Sequence, residues 1–329
     1  MNIVVALVAL TTTCLVVPES RDPRPRRIDL IGALLSTLGL LGVTYGIIAS
    51  SEHGIGRLDS AGSIAAGLIL FALFWLRSRR CSDGMFDLTI ARTHTFQGAA
   101  LAAAAMMFVM TGLLFILTQQ IQLIQGFSTL LTGVAILPMA GAAVVSSMTA
   151  PALAARTSAR ASITLGLLLF AGAAAGYAIT QPITGYLPLL AVLILIGLGV
   201  GFVAAVTNDV LMSYGPRHRS GLISSMNDTV QEVGSALGIA ILGAVLAGSY
   251  ATTLGTTAPS APSSSLAATL QTAHGDPELI ARAAAAFGDA SRTAGIAAAI
   301  ALVTAAVVPV ILRRRRADAA QTSEAGSRP

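Results

Sequence analysis

Nine stretches of this chain are apolar over close to the ~20 residues that a helix needs to cross the hydrocarbon of a bilayer. They fall at residues 2–17, 30–50, 61–76, 96–118, 130–150, 162–180, 187–207, 221–248 and 293–312. Hydrocarbon offers no water to backbone amides and carbonyls, so a crossing chain must form helices or a closed barrel. Barrel strands alternate polar and apolar residues over ~10-residue runs, whereas these runs are continuously apolar. The expected fold is therefore an all-α polytopic membrane protein with about nine transmembrane helices. Composition agrees: 54% of the 329 residues are hydrophobic and 11% are charged, against ~25% charged in soluble domains. Mean hydropathy is +0.78, and no room is left for a soluble domain.

The first segment begins almost at Met1. It lacks the basic region and the small-residue cleavage site of a signal peptide, so it reads as a spanning helix. All 20 basic residues are arginines. Arg21, Arg24, Arg26, Arg27, then Arg77, Arg79, Arg80, Arg92, then Arg156, Arg160, then Arg217, Arg219, then Arg313 to Arg316 and Arg328 occupy alternate loops on one side. Arg57, Arg282 and Arg292 occupy the other. The positive-inside rule puts the larger group in the cytoplasm, with the N-terminus outside and the C-terminus inside the cell membrane. The isoelectric point near 9.9 then reports topology and not nucleic-acid binding. An odd number of spans starting outside is unusual for an inner-membrane protein and points to further sequence upstream.

One connection is long, at residues 249–292. Its first half is rich in Ser, Thr and Pro and reads as flexible. In its second half Asp276 is placed to cap a helix that Pro277 begins, expected to be short and to lie on the outer surface.

The polar residues inside spans are few, so they carry most of the functional signal. Asn227, Asp228, Gln231 and Glu232 share the eighth segment, with Asp228 and Glu232 an i, i+4 pair and the two amides one step round. If hydrocarbon begins near Gly221, Asp228 lies roughly 10 Å deep at 1.5 Å per residue. An unpaired acid there costs about 2.5–3.5 kcal/mol on insertion scales, so it should face a bundle interior or a wet cavity. Asp228 and Glu232 are the proton-coupling candidates, and Asn227 and Gln231 candidates for the substrate path. The alternative is a polar cluster that only locks neighbouring helices, or acids near enough to the surface to stay hydrated. Gln119, Gln120, Gln122 and Gln125 lie at the outer end of the fourth segment, as path residues or as wetted amides. Asp209 either closes an inner gate with Arg217 or Arg219 or is simply hydrated. Gly234, Gly238 and Gly243 allow close helix approach. The glycines at 197, 199 and 201 lie inside a span with no strand before them, so they form no dinucleotide fingerprint. Cys14 and Cys81 suggest neither a disulfide nor a metal site. His53, His94, His218 and His274 fall in predicted loops without metal-ligand spacing. Neither a cofactor nor a catalytic set is expected, so the chain is not read as an enzyme.

These residues resemble, in order and spacing, the C-terminal two-thirds of a major facilitator superfamily transporter of the fourteen-helix drug:proton antiporter family. Asn2 and the apolar run to Val17, Pro18, Glu19 and Ser20 are similar to that family's sixth helix and its exit. Asp29, Gly32, Ser36, Tyr45 and Gly46 resemble the seventh helix, and Asp87, Leu88 and Phe96 the start of the ninth. Gln119, Gln122, Gly126, Phe127, Ser128, Gly133, Leu137 and Pro138 match a family pattern. Gly197, Gly199 and Gly201 resemble the twelfth helix, and Gly234, Gly238 and Ala240 the thirteenth. The chain departs from the family in lacking counterparts of the first five helices. It also carries Asp228 and Glu232 where amides are usual. The resemblance implies residues 1–17 as a residual sixth helix and 18–95 as two linker helices with loops. Residues 96–312 are then a six-helix bundle with the outer loop 249–292, and 313–329 a cytoplasmic tail. It implies efflux of amphipathic small molecules by alternating access, driven by inward protons; uptake of the proton at Asp228 or Glu232 is expected from the place of these acids within a span and is not inherited from the family pattern. The expected partners are lipid, substrate, protons and a missing N-terminal half. Without that half, the chain is expected to be an inactive fragment or one part of a split transporter.

Overall fold

Because hydrocarbon forces each crossing segment to satisfy its own backbone, the apolar runs become helices. The computed structural model describes residues 2–16, 29–53, 58–80, 93–182, 185–213, 220–258, 265–273 and 276–325. Among these residues all regular structure is helical. The elements are α1 (Asn2–Val16), α2 (Leu30–His53), α3 (Leu58–Arg80), α4 (His94–Gln119), α5 (Thr129–Arg156), α6 (Ala159–Ile179), α7 (Tyr186–Ser213), α8 (Ser220–Thr257), α9 (Leu266–Thr272) and α10 (Pro277–Ala325). A π-helical turn, Gln120–Ile124, prolongs α4. Eight of the helices are long and apolar enough to cross a membrane. The remaining segment, the first in the chain, forms α1, but its 15 residues reach only about 22 Å at 1.5 Å each, short of the ~30 Å core.

Helices in lipid gain little from burying apolar surface against one another, since lipid tails are equally apolar. What holds them is close contact, and small residues permit it. In α7, Gly197 and Gly201 face α5, against Met139, Ala142 and Ser146, while Gly199 faces α6. A Cβ on Gly199 would lie 2.8 Å from the Gly166 carbonyl oxygen. The G-x-G-x-G run is therefore two packing faces of one helix. Around it α4 packs on α8, α5 and α6 on α7, and α10 on α6, α8 and α4. The core of this six-helix bundle contains Val109, Leu113, Phe170, Tyr177, Leu193 and Leu242. Tyr186 donates from its hydroxyl to the Ala135 carbonyl at 2.8 Å, tying α7 to α5.

Helices α2 and α3 form an antiparallel hairpin in which Gly39, Gly42 and Gly46 meet α3 around Gly67, and α2 leans on α8. Asp29 closes the hairpin's end: its carboxylate accepts from the Gly32 amide at 2.9 Å and from Arg77 Nε at 3.0 Å and Nη2 at 2.9 Å. The Arg77 guanidinium holds the Asp29 carboxyl below its ordinary value of 3.8.

The long connection at residues 249–292 differs from expectation. Helix α8 runs on to Thr257, and the helix capped by Asp276 does not stop at the surface. Asp276 does cap it, accepting from the Glu278 amide at 3.0 Å. The helix then continues through the ninth apolar segment and on to Ala325, so part of the expected tail is also helical. The reason is a buried face of small residues, Ala283, Ala286, Ala290, Ala294 and Ala298 with Phe287, which packs the polar first turns against the bundle. Among the described residues, only 258, 265–273 and 276 remain between the two long helices, and 266–272 of these form α9. Tyr250 donates to Thr269 Oγ1 at 2.8 Å and so joins α8 to α9.

Candidate functional site

The polar residues of α8 divide between two faces, and the division follows from helix geometry. Successive residues on an α-helix are about 100° apart. Asn227 therefore points inward and is 5% exposed, while Asp228 is exposed on the bundle's surface. Gln231, one turn after Asn227, is half-buried, and Glu232, one turn after Asp228, is exposed. The four do not share one face, contrary to the expectation from spacing, and neither acid is enclosed within this bundle. Ser225 and Thr229 are exposed as well, so Ser225, Asp228, Thr229 and Glu232 form a polar stripe at i, i+3, i+4 and i+7. The stripe is about 10 Å long at 1.5 Å per residue, and seven residues beyond Glu232 it gives way to exposed Ile239. Carboxylates in a span are too costly to face lipid tails, so this stripe is a surface for water or for other protein.

Beside the stripe, Asn227 Nδ2 donates to Asn208 Oδ1 at 2.8 Å, linking α8 to α7. Asn227 Oδ1 is buried with no hydrogen-bond partner among the described residues. Asp209 is exposed next to Asn208. Its expected gate partner Arg217 lies outside the described residues, as does Arg219. The α4–α8 contact under this region is close. A Cβ on Gly234 would lie 2.5 Å from the Ala104 carbonyl oxygen, and one on Gly238 would collide with the Phe108 backbone. Gly243 differs, since its Cβ would make an ordinary 3.6 Å contact with Phe115. Thr111 Oγ1, 3.1 Å from the Ser235 carbonyl, adds a polar tie between the same helices.

At the other end of α4 the glutamines are sorted by the π-helical turn. Gln119 and Gln122 are half-buried. Gln120 is 2% exposed and accepts at Oε1 from the Tyr177 hydroxyl at 2.5 Å and from Gln181 Nε2 at 3.2 Å. The extra residue of a π turn rotates the side chains beyond it by a fraction of a turn, which no periodicity in the sequence announces. Gln125, expected as a wetted amide, has buried Nε2 and Oε1 atoms without partners among the described residues. His53 and His94, placed in loops by sequence, end α2 and begin α4.

The six apolar helices of the bundle thus leave one polar, acid-bearing stripe exposed on α8. The family model for the Major Facilitator Superfamily matches residues 1–239. The chain belongs to the Major Facilitator Superfamily. Its relatives include the multidrug efflux pump LfrA of Mycolicibacterium smegmatis, 28% identical over 91% of this chain and 61% of the relative. The tetracenomycin C resistance and export protein of Streptomyces glaucescens is 28% identical over 75% of this chain and 46% of its own length. The puromycin resistance protein pur8 of Streptomyces alboniger is 34% identical over 76% of this chain and 50% of its own length. The chain spans about half the length of the curated relatives it matches, between 46% and 61% for these three. Membership makes it a multi-pass membrane protein of a transporter superfamily and not an enzyme.

Proposed function

We propose that this superfamily member works in multidrug efflux, as a fourteen-helix drug:proton antiporter, in concert with a second helix bundle. The names of its relatives, a multidrug efflux pump, a tetracenomycin C resistance and export protein and a puromycin resistance protein, support small-molecule drugs as the substrate class. The observation that carries the mechanism is the exposed stripe of Ser225, Asp228, Thr229 and Glu232 within a span. Two carboxyls on an otherwise apolar surface need a wet cavity or a facing bundle, and alternating access supplies both. In this reading Asp228 or Glu232 takes a proton from outside and releases it inside as the two bundles rock. Asn227, Gln231, Gln119 and Gln122 lie along the substrate path. Asp209 meets Arg217 when the inner side closes. The N-terminus is outside and the C-terminus cytoplasmic, as the arginines require.

The test is efflux of a lipophilic cationic dye from vesicles under an imposed pH gradient, with Asp228→Asn and Glu232→Gln. Loss of the pH-driven component in either variant, with dye binding retained, supports the role. Unchanged transport in both refutes it. A second reading has its own support, because the chain spans only about half of its relatives. In that reading it transports nothing unless an N-terminal six-helix half is supplied on the same or a separate polypeptide. Dye efflux by the chain alone contradicts this second reading, and efflux only on co-expression with such a half supports it.

A further inference from the structure

Helix α5 carries a proline in its interior, Pro138. Proline has no amide hydrogen, so the Val134 carbonyl loses its helical donor, and the pyrrolidine ring crowds that same carbonyl. A helix bends most easily at such a point. The two sides of Pro138 are held very differently. Beyond it, Met139, Ala142, Ala143 and Ser146 pack directly on Gly197 and Gly201 of α7. Ser146 Oγ also donates to the Gly197 carbonyl at 3.3 Å. Before it, only Thr132 and Ala135 of residues 129–137 are buried, and nothing lies within 4 Å of a Cβ built on Gly133.

Tyr186, the first residue of α7, reaches this loosely held stretch at two points. Its hydroxyl donates to the Ala135 carbonyl at 2.8 Å, one residue along from the carbonyl that Pro138 strands. Its ring lies 6.3 Å from that of Phe127, next to Ser128, which caps α5. Support from a neighbouring helix to carbonyls beside a proline is what lets a span tolerate the break.

We infer that residues 129–137 form an arm that pivots at Pro138, and that Tyr186 is the latch holding it against α7. From Pro138 to Leu130 the arm is about 12 Å long at 1.5 Å per residue. A bend of about 20°, modest for a proline kink, moves its tip by roughly 4 Å. Helix α5 also touches the π-helical turn that carries Gln122, so the swing alters access to one residue of the proposed substrate path. That consequence rests on the proposed path, and the hinge does not.

The test is the distance between nitroxide labels on Leu130→Cys and Ile280→Cys, measured by double electron–electron resonance. It uses the full chain in bilayer nanodiscs, with Cys14 and Cys81 replaced by serine. Leu130 is 82% exposed at the tip of the arm, and Ile280 is exposed at the start of α10, which packs on α6, α8 and α4. The parent gives one main distance. Tyr186→Phe keeps the ring and loses the bond. It raises a second population, displaced by up to about 4 Å, roughly threefold, the worth of one interhelical hydrogen bond. Pro138→Ala restores the backbone donor, so combined with Tyr186→Phe it returns the distribution to that of the parent. Circular dichroism of each variant confirms that the helices are intact. An unchanged distribution in Tyr186→Phe overturns the latch. Persistence of the second population in the double variant overturns the pivot at Pro138.

Discussion

Adding one methyl group at Gly234 should weaken the α4–α8 contact far more than adding one elsewhere on the same helix. An ideal Cβ at Gly234 falls 2.5 Å from the Ala104 carbonyl oxygen, and ordinary contact begins at 3.4 Å. The obstructing atoms are backbone, so no side chain can swing aside, and the helices must part by about 1 Å over that turn. Overpacking of this kind costs about 1–3 kcal/mol. In a chain of this size that lowers the thermal midpoint by roughly 1.5–4.5 °C. Gly238→Ala, facing the Phe108 backbone, should act in the same direction and more strongly. Gly248 provides the control, since nothing lies within 4 Å of its Cβ position. Gly248→Ala should leave the midpoint unchanged or raise it slightly, because glycine in a helix is disfavoured by about 0.5–1 kcal/mol relative to alanine. The assay is thermal unfolding of the purified chain in one detergent, followed by circular dichroism. If Gly234→Ala and Gly248→Ala melt alike, the close-packing argument for α4 and α8 is wrong.

Three other outcomes are expected. Because Arg77 holds the Asp29 carboxyl below its ordinary value, that clasp is complete above about pH 3.8 and is lost as pH falls further; the emission of Trp75, the only tryptophan, should report the loss in the parent and not in Asp29→Asn. Identical acid titrations of the two would contradict it. Tyr177→Phe removes one of the two bonds that Gln120 Oε1 accepts and should cost about 0.6 kcal/mol, the average for a hydrogen bond between helices in a membrane. Gln120→Leu should cost more, since it removes the bonds to both Tyr177 and Gln181 at a buried position, and the reverse order of midpoints would count against the cluster. Asn227→Leu, which removes a buried oxygen lacking a partner among the described residues, should raise the thermal midpoint while lowering transport; a lower midpoint would show that the amide is structural.

The spans are legible in the sequence because a run of apolar residues long enough to cross hydrocarbon has few other fates. Asp276 and Pro277 announce a helix start for an equally local reason, the capping carboxylate. The length of that helix is hidden, since Glu278, Arg282, Asp289 and Arg292 dilute its hydropathy. Only the packed bundle shows that Ala283, Ala286, Ala290 and Ala294 share a buried face. Composition finds the polar cluster of α8, but its division into buried Asn227 and exposed Asp228 depends on which way the helix is turned. That phase is fixed by tertiary contacts at Gly234 and Gly238. Gln120 escapes a linear reading that favours Gln119 and Gln122, because the π turn that carries it inward leaves no mark on residue spacing. The Asn227–Asn208 bond joins two helices and is equally out of reach of the sequence alone.

The claim on which the rest stands is that the Asp228–Glu232 face of α8 meets water inside the membrane. Reaction rates with a charged, membrane-impermeant thiol reagent test it directly, on single cysteines introduced into the full chain in vesicles with Cys14 and Cys81 replaced by serine. Glu232→Cys is predicted to react many-fold faster than Leu168→Cys, which is exposed on the apolar surface of α6. Equal, slow rates at both positions would place the acid-bearing face against lipid and contradict the account.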